Sequence, residues 1–551
     1  TMSRWSKIRA LRPDTLTLPL ILLLALAVYG FTVAPTILND DAGEFQLIIN
    51  ALGVAHPTGY PLYTLLGFGF VHLVPFGDPA YRVNLFSAIT ATAALLVTYR
   101  LVRELNVEPL IACLTVLTLA FSSAFWNYAT LARPYPLNWL LIAIVLLCFV
   151  HWSRGPSARN WLLLTFAFGL SLTNHSTMLF FAPALLLGAL YAQGRLVLNP
   201  RMIALACAAL VLPLALYLYV PLRAEALLQQ QSLQCEVLGI PRAVADGAGA
   251  SNVVLGSFYT SAVATSGAFS LLDGLAAYLA LLAAQLTWLG VELSLVGIVG
   301  LARQSAGVFV VVALAWLTNI VVVSRAVAAY GEGRELFTPS WMLAVLCIGV
   351  GTRTALLSVG LLSMILLLLW QNAPAMLARR SETKYAEYAV STLSADLPRN
   401  SIILGAWSQV TPLHYAQTIQ GVRPDVAVIQ APLAAPEGHA LINRALDEDR
   451  PLFLLSASDQ LVAIPLRTAP AIEHDVGAEF GHELLLLGFS VRGQQLEFYW
   501  RAVARPSTDY MVFVHLIDER GEPITTPDQP PATELFPTSL WRGRSRRLRD
   551  A

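Results

Sequence analysis

Three carboxylates and a histidine stand within residues 40–56: Asp40, Asp41 and Glu44 in Asn39-Asp40-Asp41-Ala42-Gly43-Glu44-Phe45, and His56 in His56-Pro57-Thr58-Gly59-Tyr60-Pro61. They follow a long apolar run that ends near residue 37, a place where charge is costly unless it is solvated or used. A carboxylate there can serve as a general base that takes the proton from an attacking hydroxyl, and Asp41 is the first choice for that role. Asp41 and Glu44 also have the spacing of a capping box ahead of Gln46-Leu47-Ile48-Ile49. The two readings are compatible, because a helix start is a rigid place to present a carboxylate. Asp40, Asp41 and His56 are ligand types for a divalent cation, but three ligands in one loop define no geometry, and no divalent metal is expected.

Two arginines are placed for a phosphate. Arg223 follows Pro221, and Arg82 precedes the second apolar run; a lipid phosphate needs cations at the membrane boundary to bind it and to stabilise it as a leaving group. Either side chain can instead snorkel to the interface. His56 and His175 can touch phosphate or sugar, or act only as structural hydrogen bonders. Trp126, Tyr128, Trp139 and Trp161 lie near expected membrane boundaries and read as an aromatic belt rather than a sugar platform.

The elements that must hold these residues are mostly membrane helices. The chain has 551 residues, 56% of them hydrophobic and 13% charged, with 35 basic and 35 acidic side chains. An ordinary soluble domain is roughly one-quarter charged. Residues 1–370 hold only 14 acidic and 18 basic side chains, so a lipid-embedded part precedes a water-soluble one. Zero net charge without a basic stripe argues against a nucleic-acid partner. Cys113, Cys148, Cys207 and Cys347 sit in apolar runs and Cys235 in a polar one, with no disulfide framework.

A span needs about 20 apolar residues, which predicts about eleven crossings, near 15–37, 83–102, 109–127, 136–152, 159–173, 177–192, 202–221, 275–301, 306–324, 337–351 and 354–371. The segment 271–301 is too long for one simple span, and its first half, with Gln285, Trp288 and Glu292, is expected along the interface. Arg4, Lys7, Arg9 and Arg12 put the N-terminus in the cytoplasm, and Arg100, Arg103, Arg154, Arg159, Arg195, Arg201, Arg303 and Arg353 then all fall on that side. Residues 38–82, 223–272 and everything after about 371 are expected outside. The membrane domain is thus 1–371. Residues 382–456 alternate helical and strand patterns and predict a small three-stranded parallel α/β unit, with a helix near 438–447. Residues 470–551 read as part of a β-sandwich with a turn at Asp518–Gly521, ending unfinished at Trp541–Arg547.

The first outer loop resembles a known family. Asp41-Ala42-Gly43-Glu44 with Leu52-Gly53-Val54-Ala55-His56-Pro57-Thr58-Gly59-Tyr60-Pro61-Leu62 is similar to the signature of the membrane protein O-mannosyltransferase-like family, and the likeness continues in Arg82-Val83-Asn84-Leu85-Phe86-Ser87-Ala88, Gly169-Leu170-Ser171-Leu172-Thr173-Asn174-His175, Tyr217-Leu218-Tyr219-Val220-Pro221-Leu222-Arg223 and Gly421-Val422-Arg423-Pro424-Asp425-Val426. The resemblance implies a GT-C-like fold and an inverting glycosyltransferase that takes a sugar, mannose first, from a polyprenyl phosphate to an extracytoplasmic protein or glycan. It implies Asp41 and Glu44 as catalytic, and Asp40, His56, Tyr60, Arg82, Asn84, His175 and Arg223 in donor or substrate binding. Membrane lipid, the lipid-linked donor and the acceptor are the implied partners, and the cytoplasmic membrane the implied location.

Two stretches depart from the pattern. Ala132-Arg133-Pro134-Tyr135-Pro136-Leu137-Asn138 carries a basic residue where the family has an acidic one, and residues 225–260 are Gln- and Ala-rich where a Trp- and Gly-rich segment is expected. A non-catalytic relative that binds lipid-linked glycan or envelope polymer is therefore the alternative. A transporter would place ionisable residues midway along its spans, and the expected crossings are nearly charge-free there.

Overall fold

The computed structural model describes residues 14–230, 252, 254, 270–330, 334–352, 354–430, 450–455, 461–464, 472–492, 495–514, 516–517, 523–524, 538, 541 and 547–550. Most of the expected outer loop 223–272 lies outside these residues. So do Arg4, Lys7, Arg9, Arg12, Cys235, Arg353, the helix near 438–447, the turn Asp518–Gly521 and residues 542–546. The chain divides into two compact units. The first comprises Thr1–Leu38, Phe45–Gln230 and Ile240–Thr383; the second comprises Asn39–Glu44, Gln231–Gly239 and Lys384–Ala551.

The first unit is helical. In chain order the described helices are α1 (Asp14–Thr32), α2 (Asp40–Ala51), α3 (Pro61–Leu73), α4 (Pro79–Glu104), α5 (Pro109–Phe121), α6 (Ser123–Ala129), α7 (Tyr135–Arg154), α8 (Ala158–Leu172), α9 (Ala182–Val197), α10 (Pro200–Leu214), α11 (Tyr219–Gln229), α12 (Leu271–Gln304), α13 (Ala306–Tyr330), α14 (Thr338–Gly351) and α15 (Ala355–Arg379). Pro61, Pro79, Pro109 and Pro200 each open a helix, where a missing N–H costs nothing and the fixed φ is already helical. The Asp78 side chain accepts from Ala80 N at 2.8 Å and Asn199 accepts from Arg201 N at 3.0 Å, completing two of these starts.

Among the described residues, seven helices are long and apolar enough to cross a membrane, or up to eight if a bent pair is one span. The chain is a multi-pass membrane protein, but the expected eleven crossings are not reproduced one for one, and each difference has a local cause. The run 109–127 is broken at Ser122, whose backbone is extended, and α5 and α6 meet at 70°. Gln285 Oε1 accepts from Ala124 N at 2.8 Å, satisfying one of the donors that the new helix start exposes. The run 159–173 forms a 15-residue helix, and the apolar helices near 17–32 and 335–351 are also short. The long segment from Leu271 is one helix by hydrogen bonding, yet it breaks at Thr287, where φ is 60°. At about 1.5 Å per residue its 34 residues outrun the roughly 30 Å hydrocarbon layer.

The bundle packs closely where glycines remove side chains. A Cβ on Gly297 of α12 would lie 1.7 Å from the Cys347 carbonyl oxygen of α14, so these two backbones touch. Leu356, Val359, Leu362, Leu366 and Trp370 form an exposed stripe at helical spacing on α15, the surface that lipid would cover. The expected aromatic belt is corrected. Trp126, Trp139 and Trp161 are buried: Trp126 Nε1 donates to Thr32 Oγ1 at 3.0 Å, Trp139 stacks on Phe125 at 4.1 Å, and Trp161 meets Trp152 at 4.9 Å. Ring-on-ring packing carries Trp139 and Trp161 into the bundle and a single hydroxyl suffices for the Trp126 N–H, none of which window hydropathy registers.

The second unit holds the soluble tail. After α16 (Lys384–Ser394), strand β1 (Ile402–Gly405) leads into α17 (Trp407–Gln420), followed by β2 (Ala427–Gln430) and β3 (Leu452–Leu455). Strand β1 pairs in parallel with both β2 and β3, giving the expected three-stranded unit, and β4 (Leu461–Ile464) adds an antiparallel edge in the order β2-β1-β3-β4. Strands β5 (His474–Phe480), β6 (Leu484–Arg492), β7 (Gln495–Ala502) and β10 (Arg547–Asp550) form a second, antiparallel sheet, and β8 (Leu516–Ile517) pairs with β9 (Pro523–Ile524). Ile402, Leu404, Leu452 and Leu454 from the first sheet share one core with Leu484, Trp500, Ala502 and Trp541 from the second.

Candidate active site

The site begins at α2. Its first backbone bond runs from Gly43 N to Asn39 O at 3.1 Å, so Asn39 occupies the cap position and Asp40 and Asp41 lie in the first turn. Both first-turn carboxylates sit at the positive end of the helix, which favours negative charge. Asp40 has φ 60°, rare for a residue with a side chain. The dividing line between the units crosses α2 after Glu44, within a helix that runs unbroken from Asp40 to Ala51.

Within that helix and turn, Asp41, Glu44 and His56 each offer a ligand atom, and these atoms all lie within 4.8 Å of one another. Asp41 and His56 are half-buried and Glu44 is fully buried. A carboxylate pair with an imidazole is a donor set for a divalent cation, and equally a base, its orienting partner and a hydrogen-bond donor. Inside the second unit, which takes in Asn39–Glu44, Trp407 Nε1 donates to Asp41 Oδ1 at 3.1 Å.

The Pro57-Thr58-Gly59-Tyr60-Pro61 motif makes a tight turn behind His56. Gly59 N donates to His56 O at 2.7 Å, and Gly59 and Tyr60 both have positive φ, 86° and 44°. Tyr60 then caps α3, with Pro61 as its first residue. Leu62 N donates to Thr173 O at 3.2 Å, tying this turn to the loop that carries His175. A row of rings results: Phe45 to His56 at 5.6 Å, His56 to Tyr60 at 5.2 Å, Tyr60 to His175 at 5.7 Å and His175 to Tyr135 at 5.4 Å. His175 Nδ1 accepts from Thr177 N at 3.2 Å, which places the imidazole proton on Nε2. Burial, and secondly the neighbouring His56, pull its pKa down to about 3, so it is a neutral donor rather than a cation.

The remaining expected site residues hold backbone. Asn84, buried, donates to Ala34 O at 3.0 Å and accepts from Gln46 Nε2 at 2.9 Å, while Gln46 Oε1 accepts from Leu38 N at 2.8 Å. The pair latches α2 to residues 34–38, which lead into it. Arg82 donates to the carbonyls of Val71, Phe76 and Gly77, around the end of α3. Arg223 donates to the carbonyls of Leu52 and Ala51, and Tyr219 Oη to Gly53 O at 2.6 Å. Gln46, Phe45, Tyr135, Tyr219 and Trp407 are not among the site residues that the sequence predicts. Tyr219 stands in one of the family motifs, and Gln46 carries a signal of its own, as a lone polar residue in Phe45-Gln46-Leu47-Ile48-Ile49 that burial obliges to find partners.

Residues 41–197 match the family described as the protein O-mannosyl-transferase TMEM260 N-terminal domain. Over 159 residues the chain is 31% identical to protein O-mannosyl-transferase TMEM260 of Mus musculus, covering 28% of this chain and 23% of that protein. Over 183 residues it is 25% identical to the tmem260 protein of Dictyostelium discoideum, covering 30% and 22%. The chain thus matches less than a quarter of either relative's length. Among solved structures, ArnT from Cupriavidus metallidurans in the apo state aligns with a TM-score of 0.54 at 11% identity, over 84% of this chain and 95% of that one. The same protein bound to undecaprenyl phosphate aligns with a TM-score of 0.52, also at 11% identity, over 79% and 92%. The chain therefore has a GT-C-like membrane fold, and its segment 41–197, which holds Asp41, Glu44, the ring row and Arg82, is similar to the N-terminal domain of the TMEM260 protein O-mannosyl-transferases.

Proposed function

We propose that the chain is a membrane glycosyltransferase that moves a sugar, mannose by similarity to its named relatives, from a polyprenyl phosphate to a hydroxyl of an extracytoplasmic protein or glycan. The observation that carries this reading is the convergence of Asp41, Glu44 and His56 within 4.8 Å at a helix start. Asp41, half-buried, takes the acceptor proton as the hydroxyl oxygen bonds to the sugar's anomeric carbon; the bond from that carbon to the phosphate oxygen breaks, and polyprenyl phosphate leaves with its electron pair. Glu44, fully buried, orients Asp41 or the acceptor rather than exchanging protons with solvent. Displacement from the face opposite the phosphate inverts the anomeric configuration. His56, Tyr60 and neutral His175 line the sugar side, where rings and a fixed N–H donor suit a polyol. Asp40, at the same helix start, adds a second first-turn carboxylate for the sugar hydroxyls. The alternating arginine-bearing loops support an N-terminus in the cytoplasm and a tail outside.

Purified chain in nanodiscs, given labelled polyprenyl-phosphate mannose and membrane acceptors, should transfer label to the acceptor and do so equally in EDTA. Tight donor binding without transfer would favour the non-catalytic relative. Loss of transfer in EDTA and recovery with a divalent metal would assign Asp41, Glu44 and His56 to a metal instead.

A further inference from the structure

The end of the site helix is held in an unusual way. Leu52 follows α2 with φ 50°, and Gly53 N donates to Ile48 O at 2.7 Å. That bond, from the second residue past the helix to the carbonyl five residues back, defines a Schellman cap, whose left-handed position is normally glycine. Here a leucine occupies it, in a conformation that its Cβ disfavours. Three successive carbonyls at this cap receive bonds from α11: Ala51 and Leu52 from the Arg223 guanidinium, and Gly53 from Tyr219. A helix C-terminus leaves carbonyls unsatisfied and partially negative, so a cation there is favourable. Val54 and Ala55, which lead from the cap to His56, are both fully buried.

We infer that Arg223 and Tyr219 are positioning residues, a clamp that stabilises the strained cap at Leu52 and thereby fixes the path from α2 to His56. The catalytic part of this inference rests on the transferase reading. In that role Arg223 does not touch the donor, so its loss lowers turnover while donor affinity stays.

The test uses the full chain in nanodiscs with Arg223→Ala, Arg223→Lys and Tyr219→Phe, measuring turnover at saturating polyprenyl-phosphate mannose, the Kd of that donor, and amide exchange over residues 49–60. Arg223→Ala should lower turnover at least tenfold with Kd unchanged within twofold, Tyr219→Phe severalfold, and Arg223→Lys should fall between them. Exchange at 52–58 should quicken about tenfold in Arg223→Ala. Leu52→Gly added to Arg223→Ala should restore part of the turnover, because glycine adopts the left-handed cap without strain; a general loss of packing would not respond. If Arg223→Ala does not fold, Tyr219→Phe and Arg223→Lys carry the same comparison. A tenfold loss of donor affinity with turnover at saturation intact would make Arg223 a phosphate contact and overturn the inference, as would unchanged exchange. The exchange measurement stands even where no transfer is detected, so failure of the clamp and failure of the transferase reading are separable.

Discussion

Helices α2 and α17 are of similar length, and both bury polar side chains, but they treat them differently. In α2, Gln46 is bonded to Leu38 N, Thr36 O and Asn84, and the cap behind it is held by Arg223 and Tyr219. In α17, Gln417 finds the carbonyls of Arg423 and Val426. The fully buried His414 makes no hydrogen bond of normal geometry from either ring nitrogen, and Thr411 Oγ1 makes none. Satisfied buried groups specify one arrangement, whereas a buried imidazole held neutral by its surroundings ties stability to pH. The candidate site stands on the helix of the first kind.

The largest effect on stability should come from breaking the Gln46 latch. Gln46→Leu leaves Leu38 N and the Asn84 side-chain carbonyl without their partner, while Thr36 O keeps its bond from Asn84 Nδ2, and each unsatisfied buried group costs about 1 to 3 kcal/mol. The variant should lose several degrees of melting temperature and most of its turnover. Retention of both would show that the latch does not place the site helix.

A smaller effect sharpens the other side of the comparison. Burial pulls the pKa of His414 down to about 3 from 6.5, against a weaker upward pull from Gln417. The folded pKa is depressed, so this contribution to stability is fully present above pH 6.5 and is lost as pH falls toward 3. At pH 5 the tail should be about 2 kcal/mol less stable than at pH 8 from this group alone. His414→Leu should flatten that part of the curve of urea midpoint against pH. An unchanged slope would mean that His414 is charged or solvated in the folded tail.

The sequence revealed the site where its residues are close along the chain. Asp41, Glu44 and His56 belong to one short motif, and period and composition located the membrane part and the parallel strands of the tail. What it concealed is non-local. The partner of Gln46 is 38 residues away, and that of Arg223 is 171 residues away. No spacing rule links an arginine beyond one apolar run to a leucine carbonyl before another, so Arg223 and Arg82 read as phosphate cations while their described bonds go to helix ends. The helix break at Ser122 is hidden for a related reason: the residue is neither proline nor glycine, and window hydropathy passes over a single non-helical residue. The break at Thr287 falls in the segment whose length already marks it as more than one simple span, but no residue type there gives its position.

The most direct test of the account is Asp41→Asn. Asparagine keeps the size and a hydrogen-bonding side chain at the helix start but cannot accept the acceptor's proton. Label transfer from polyprenyl-phosphate mannose should fall by about 10² or more, the scale of a general base, with the melting temperature and donor Kd unchanged. Wild-type transfer by Asp41→Asn would contradict the account and leave Asp41 as a structural residue of the helix start.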